Sequence, residues 1–154
     1  MKKVIIQNAL IIPEIAKIVS EGGGSVTLKT KGNSMLPFII GERDSVVLAK
    51  AEDIKLYDIV LATVNDNQYI LHRVVDINGD KLTLMGDGNL KGCEVCSVEN
   101  VIATAIEIIG GGKRYSCQSE QHFRKAMIWR ALLPIRRYLL AAYKLVLKYR
   151  YENN

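Results

Sequence analysis

Between two glycine runs, Gly22-Gly23-Gly24 and Gly110-Gly111-Gly112, the sequence breaks into short apolar or alternating stretches at 26–30, 45–49, 59–64, 68–76, 81–85 and 101–109. Each is closed by turns rich in Gly, Asn and Asp. Stretches this short, with a period of two and turn residues at their ends, form strands rather than helices. Asn78-Gly79, between two alternating runs, is the strongest hairpin signal, because a tight two-residue turn asks for φ > 0 at both central positions. A chain of 154 residues can bury a core without disulfide or metal staples. The spacing therefore predicts a mainly β (α+β) fold built on antiparallel strands.

The flanks differ from this middle. Residues 7–20 place Leu10, Ile11, Ile15 and Ile18 near one helical face, and Pro13 fits only in the first turn, so a short helix is predicted to begin near Ile12. Residues 122–150 read as one long helix. Ile128, Leu132, Ile135, Leu139, Ala142 and Val146 fall on one stripe, with Arg130, Arg137, Lys144 and Lys148 opposite, and Pro134 predicts a kink or two shorter helices. Charge divides the same way: residues 1–121 carry 13 Lys/Arg against 15 Asp/Glu, and residues 122–154 carry 8 Lys/Arg against Glu152 alone. The organisation expected is a helix and linker over 1–24, a β domain over 25–112 closed by a glycine hinge, and a basic amphipathic tail over 113–154. For the tail, packing on the domain competes with an anionic membrane surface, where Trp129 would insert and Arg130, Arg137, Lys144 and Lys148 would meet headgroups. Peripheral membrane contact is the expectation, and nucleic-acid binding is not.

Other classes fall away on composition. A hydrophobic fraction of 49% excludes wholesale disorder, and no apolar run reaches the roughly 18 residues of a spanning helix. Gln7, Asn8, Pro13 and Glu14 break the N-terminal apolar stretch and no small-residue cleavage site follows, so no export signal is read and a cytoplasmic or peripherally membrane-associated protein is expected. Cys93 and Cys96 have zinc-ligand spacing without a second pair, since Cys117 and His122 are distant and irregular. Neither metal nor cofactor is expected, and the three cysteines are too few for a disulfide framework.

Two segments carry candidate chemistry: Lys31-Gly32-Asn33-Ser34-Met35-Leu36-Pro37 and Leu71-His72-Arg73-Val74. Glycine and proline around Ser34 predict a rigid bend that projects its hydroxyl, with N–H groups at Asn33 and Ser34 facing a developing oxyanion. Such a hydroxyl needs a neighbouring base, and His72 lies in a well-defined strand. Counting outward from Asn78-Gly79 sets His72 opposite Met85 and Ile70 opposite Asp87. On that count His72 and Asp87 share a face as diagonal neighbours, which suits a carboxylate that orients an imidazole. Asp44, Asp58 and Arg73 read as structural, at strand edges or paired on the surface, and His122 carries no expected role.

The order Gly32-Asn33-Ser34-Met35-Leu36-Pro37, Asp58-Ile59-Val60, His72-Arg73-Val74, Gly86-Asp87-Gly88-Asn89 resembles the type I signal peptidases and the superfamily they share with LexA-type self-cleaving repressors. The resemblance spans about residues 25–109. Most of these enzymes have a lysine base; the subgroup that His72-Arg73-Val74 resembles has histidine. It implies a coiled antiparallel sheet or partly open barrel, with Ser34 as nucleophile, His72 as general base and Asp87 as the carboxylate. Where the family motif continues to a second acidic pair, Gly92-Cys93 stand here, with Glu94 the nearest carboxylate. No N-terminal membrane anchor of the familiar kind is read or expected, and Gly32 stands where many lysine-type members have a hydroxyl residue two before the serine. The function implied is a signal-peptidase-like serine endopeptidase that processes a signal or leader peptide bound as an extended strand. A LexA-type self-cleaving or regulatory peptidase and a non-catalytic peptide- or membrane-binding module are the alternatives.

Overall fold

The computed structural model describes residues 11–21, 23–65 and 68–153. Helix α1 (Ile12–Glu21) carries Pro13 in its first turn, where the missing N–H costs no hydrogen bond. Its buried residues are Ile12, Ile15 and Val19, so the packed face lies one position away from the one expected, and Ile18 is exposed. Leu10, expected on that face, lies outside the described residues.

Eight strands follow: β1 (Val26–Lys29), β2 (Ser45–Ala49), β3 (Ile59–Val64), β4 (Gln68–Asn78), β5 (Lys81–Met85), β6 (Glu94–Ser97), β7 (Val101–Gly110) and β8 (Lys113–Ser116). All pair antiparallel in one sheet ordered β1-β2-β7-β3-β4-β5-β6, with β8 also on β7. The sheet curls into a half-barrel, as the mainly β reading anticipates. Its curl buries central strands on both faces, and β3 shows this by alternation. Ile59 and Leu61 join the cluster under α1, with Ile12, Ile15, Leu48 and Leu71. Val60, Ala62 and Val64 join a second cluster, with Ile70, Val74, Leu82 and Leu84.

Two turns differ from expectation. The β4–β5 turn is Gly79-Asp80, with Asn78 opposite Lys81 and φ +59° at Gly79. Gly111-Gly112, expected to close the β domain as a hinge, make a hairpin turn at φ +58° and +75° that returns β8 along β7.

The kink expected at Pro134 is present. Helix α2 (Glu120–Ala131), capped by the Ser119 hydroxyl accepting from the His122 N–H, passes through a 3₁₀ turn (Leu133–Ile135) into α3 (Arg136–Glu152). The face that packs is formed by His122, Ala126, Arg136 and Leu140, with Leu140 against Leu36 and Ile40. Ile128, Ile135, Leu139 and Val146 from the expected apolar stripe are exposed. Trp129 and Arg130, expected at a membrane, are half-buried against the protein. Among the described residues no helix is long and apolar enough to cross a membrane.

Candidate active site

Ser34 sits in a turn between β1 and β2 that is fastened at both ends. The Thr30 N–H donates to the Asp44 carbonyl, the Glu42 N–H to the Thr30 carbonyl, and the Ile40 N–H to Asp44 Oδ2 at 2.8 Å. Gly41 lies so close to the Gly32 backbone that a Cβ there would overlap it, and Gly32 itself has φ +85°. Met35, Leu36 and Ile39 are buried and anchor the turn, leaving Ser34 half-buried at its crest.

The Gly86–Asn89 loop closes against this crest. The Gly88 N–H donates to the Ser34 carbonyl at 2.8 Å. A Cβ at Gly86 would strike the Ser34 carbonyl, and one at Gly88 the Asn33 carbonyl, so both glycines are there for close approach. Arg73 pairs with Met85 and Val74 with Leu84. One further step in that register sets Gly86 opposite His72, and opposed residues share a face. The Ser34 backbone thus stands where a side chain at 86 would rise, on the His72 side of the sheet.

His72, 6% exposed, has its Nδ1 3.0 Å from Glu94 Oε2. The register accounts for this. Val74 lies two along from His72, opposite Leu84, and Leu84 lies opposite Glu94, so all four share a face. A carboxylate on Nδ1 keeps the proton on that nitrogen and leaves the Nε2 lone pair to act as a base. Among the described residues no hydrogen bond joins the Ser34 hydroxyl to His72. Catalytic hydrogen bonds often tighten only when substrate is bound.

The hairpin count from the sequence needs correction. It placed Asp87 beside His72, but a bulge at Val75, between the Val74–Leu84 and Asp76–Thr83 pairs, shifts the phase by one residue. Asp87 consequently faces Arg73, which receives it in a fork: Nε to Oδ1 at 2.8 Å and Nη2 to Oδ2 at 2.7 Å. Arg73 is 2% exposed and otherwise spent, with Nη1 donating to the Tyr57 carbonyl at 2.8 Å and lying 3.0 Å from His122 Nε2, and Phe38 stacked 4.6 Å from its guanidinium carbon. A buried guanidinium so fully paired is a strut rather than a base. Arg73, expected at a strand edge or in a surface pair, is instead paired in the interior, on a strand flanked on both sides.

The C-terminal helices brace the same loop. Trp129 Nε1 donates to the Asp87 carbonyl at 2.8 Å, and Arg136 Nη1 to the Asn89 carbonyl at 3.0 Å, with Arg136 over the Trp129 ring. Arg130 Nη1 reaches the Met85 sulfur at 3.3 Å. His122, assigned no role from the sequence, is buried between Phe38 and Phe123. Burial, then the Arg73 charge, pushes its pKa down to about 4, so it is neutral and its Nε2 accepts from Arg73. Burial also raises the Asp58 carboxyl, whose Oδ2 accepts from the Lys55 N–H, and raises the Cys117 thiol to about 12. Cys96 packs in the second core cluster while Cys93 is exposed.

A small apolar cavity of about 30 Å3 opens beside Ser34, walled by Leu28, Met35, Ile39, Leu48, Leu61 and Leu71. Lys29 to Gly32, which leave the end of β1, form its polar rim. Strand β1 pairs only with β2, so its outer edge carries no strand among the described residues.

Comparison with curated proteins returns no match. A family model described as Peptidase S24-like matches residues 4–110, which takes in Ser34, His72, Asp87 and Glu94. That is well over half of the chain, so by sequence as by its curled β fold the protein belongs to the Peptidase S24-like family, whose members are hydrolases of the serine-peptidase kind.

Proposed function

We propose that the protein is a signal-peptidase-like serine endopeptidase with a Ser34–His72–Glu94 relay. The observation that carries this reading is the 3.0 Å approach of Glu94 Oε2 to His72 Nδ1, with the Ser34 turn seated on the same side of the sheet. In the reaction His72 Nε2 takes the Ser34 proton, Ser34 Oγ attacks the scissile carbonyl, and the N–H groups at Asn33 and Ser34 hold the oxyanion. The imidazolium, stabilised by Glu94, then protonates the leaving amine, and water hydrolyses the acyl-enzyme by the same route. Asp87 acts through Arg73: the pair sets the Gly86–Asn89 loop that supports the Ser34 backbone.

The substrate class is an extended segment of a signal or leader peptide, added as a strand to the open edge of β1. The cavity beside Ser34 takes a short apolar side chain next to the cleaved bond. The test is digestion of a peptide library, read by mass spectrometry. Wild type cuts after short apolar residues, and Ser34→Ala and His72→Ala do not. A wild type that cuts nothing, or a Ser34→Ala variant that cuts as well as wild type, overturns the assignment and leaves a domain that binds without hydrolysis.

A further inference from the structure

We propose that the cleft between β8, α2 and the far end of the Ser34 turn binds an extended acidic peptide, at a site that the peptidase reading does not use and independently of that reading. The cleft has a volume of about 730 Å3. Pro37 and Phe38 form one wall, Lys125, Ile128 and Trp129 of α2 a second, and Arg114, Tyr115 and Ser116 of β8 a third. Ser34 does not line it, and it shares no residue with the apolar cavity beside Ser34. The β8 wall selects a peptide. Successive side chains of a strand leave on opposite faces, so three in a row on one cleft mean that the cleft runs along the edge of β8. Strand β8 pairs with β7 alone among the described residues, so the edge along the cleft is its open one. An open edge offers backbone N–H and C=O groups, which an extended chain satisfies by adding as a strand.

Charge selects an acidic one. Three cations line the cleft, Arg43, Arg114 and Lys125, with one carboxylate, Asp44. Asp44 is 2% exposed and already accepts from Arg43 Nε at 2.6 Å and from the Ile40 N–H at 2.8 Å. Arg114 gives Nε and Nη2 to Glu107, which does not line the cleft. Lys125 is exposed and makes no ion pair among the described residues. Even with Glu107 counted, three cations meet two carboxylates, and both carboxylates are engaged. The same cleft leaves Tyr115 50% and Ile128 52% exposed. A strand sends alternate side chains to opposite faces. A peptide that alternates carboxylates with apolar residues therefore meets the cations with one set and the apolar wall with the other.

The test is fluorescence anisotropy of a labelled octapeptide that alternates glutamate and leucine, titrated with the Ser34→Ala form of the full chain so that the probe stays whole. Binding is expected, and glutamine in place of glutamate is expected to weaken it about tenfold or more. In the same background Lys125→Glu weakens binding about tenfold, and the pair Tyr115→Ser, Ile128→Ser about tenfold or more. Arg124→Gln, which removes an exposed cation of α2 outside the cleft, leaves binding unchanged. All these variants keep the parent melting temperature, because the residues changed touch solvent. No binding, equal binding of the glutamine peptide, or undiminished binding by either cleft variant overturns the proposal. So does displacement of the peptide by hexanoate at equal concentration, which would assign the cleft to a small anion. Anisotropy requires no cleavage, so failure here and failure of the peptidase reading are separate results.

Discussion

Glu94 reaches His72 from two strands away, Oε2 to Nδ1 at 3.0 Å, while Arg73, next to His72 in sequence, turns to the other face and grips Asp87. Two carboxylates thus have two different duties around one strand. In the proposed relay the first holds a proton on His72, while the second pairs with Arg73 beneath the Gly86–Asn89 loop.

Separating these duties is the first prediction. Glu94→Gln keeps a side chain of the same shape but loses the charge that stabilises an imidazolium, so kcat is expected to fall about a thousandfold with little change in unfolding free energy. Asp87→Asn leaves a buried guanidinium without its counter-charge and is expected to cost about 3–5 kcal/mol in urea unfolding. Wild-type kcat in Glu94→Gln would reverse the assignment.

The two close-approach glycines give the second. Gly86→Ala and Gly88→Ala push a methyl into the carbonyls of Ser34 and Asn33, which are backbone and cannot swing aside. Each is expected to lower kcat about tenfold or more by displacing the nucleophile. Gly24→Ala, whose methyl would meet only the Ile18 side chain at 3.9 Å, is the control and leaves activity unchanged.

A pH effect on stability follows from His122. Its pKa falls from 6.5 in the open chain to about 4 in the fold, so between those values the unfolded chain binds the extra proton. Stability from this group is complete above about pH 6.5 and is lost as pH falls toward 4, with about 2 kcal/mol gone at pH 5. His122→Gln offers Arg73 an amide oxygen and removes the titration. Melting curves from pH 7.5 to 4.5 are expected to fall more steeply for wild type than for His122→Gln, and parallel curves would contradict it.

Trp129→Phe deletes the indole donor to the Asp87 carbonyl while keeping a ring for Arg136. The expected cost is about 1 kcal/mol of stability and a few-fold loss of kcat, measured together. An unchanged kcat would show that the brace serves folding alone.

Much of the sheet was readable because six strands fall on short apolar or alternating stretches closed by turn residues, and β2, β3 and β5 begin and end where the pattern placed them. Strand β8 was not readable, since all four of its residues are exposed, nor was β6, in which Cys96 alone is buried. The hairpin phase failed for a subtler reason. Moving the turn from Asn78-Gly79 to Gly79-Asp80 shifts the pairing by two and preserves which residues share a face, but the single extra residue at Val75 inverts it. No local pattern marks that bulge, so Asp87 was placed beside the wrong neighbour, and Glu94 stood in the sequence only as the nearest carboxylate. The Arg73–His122 contact joins positions 49 apart in different elements, beyond the reach of any spacing rule. On the tail, periodicity found an apolar stripe but could not tell which side would meet the sheet.

The family match ends at residue 110, yet the molecule does not divide there. His122, Trp129 and Arg136 all grip groups that lie before that boundary. A shortened form cut at the match, or a chimera given a foreign tail, would inherit the Ser34 turn without its buttress. The helices after β8 therefore have to travel with the sheet as one transplantable unit, and changes in either half are constrained by the other.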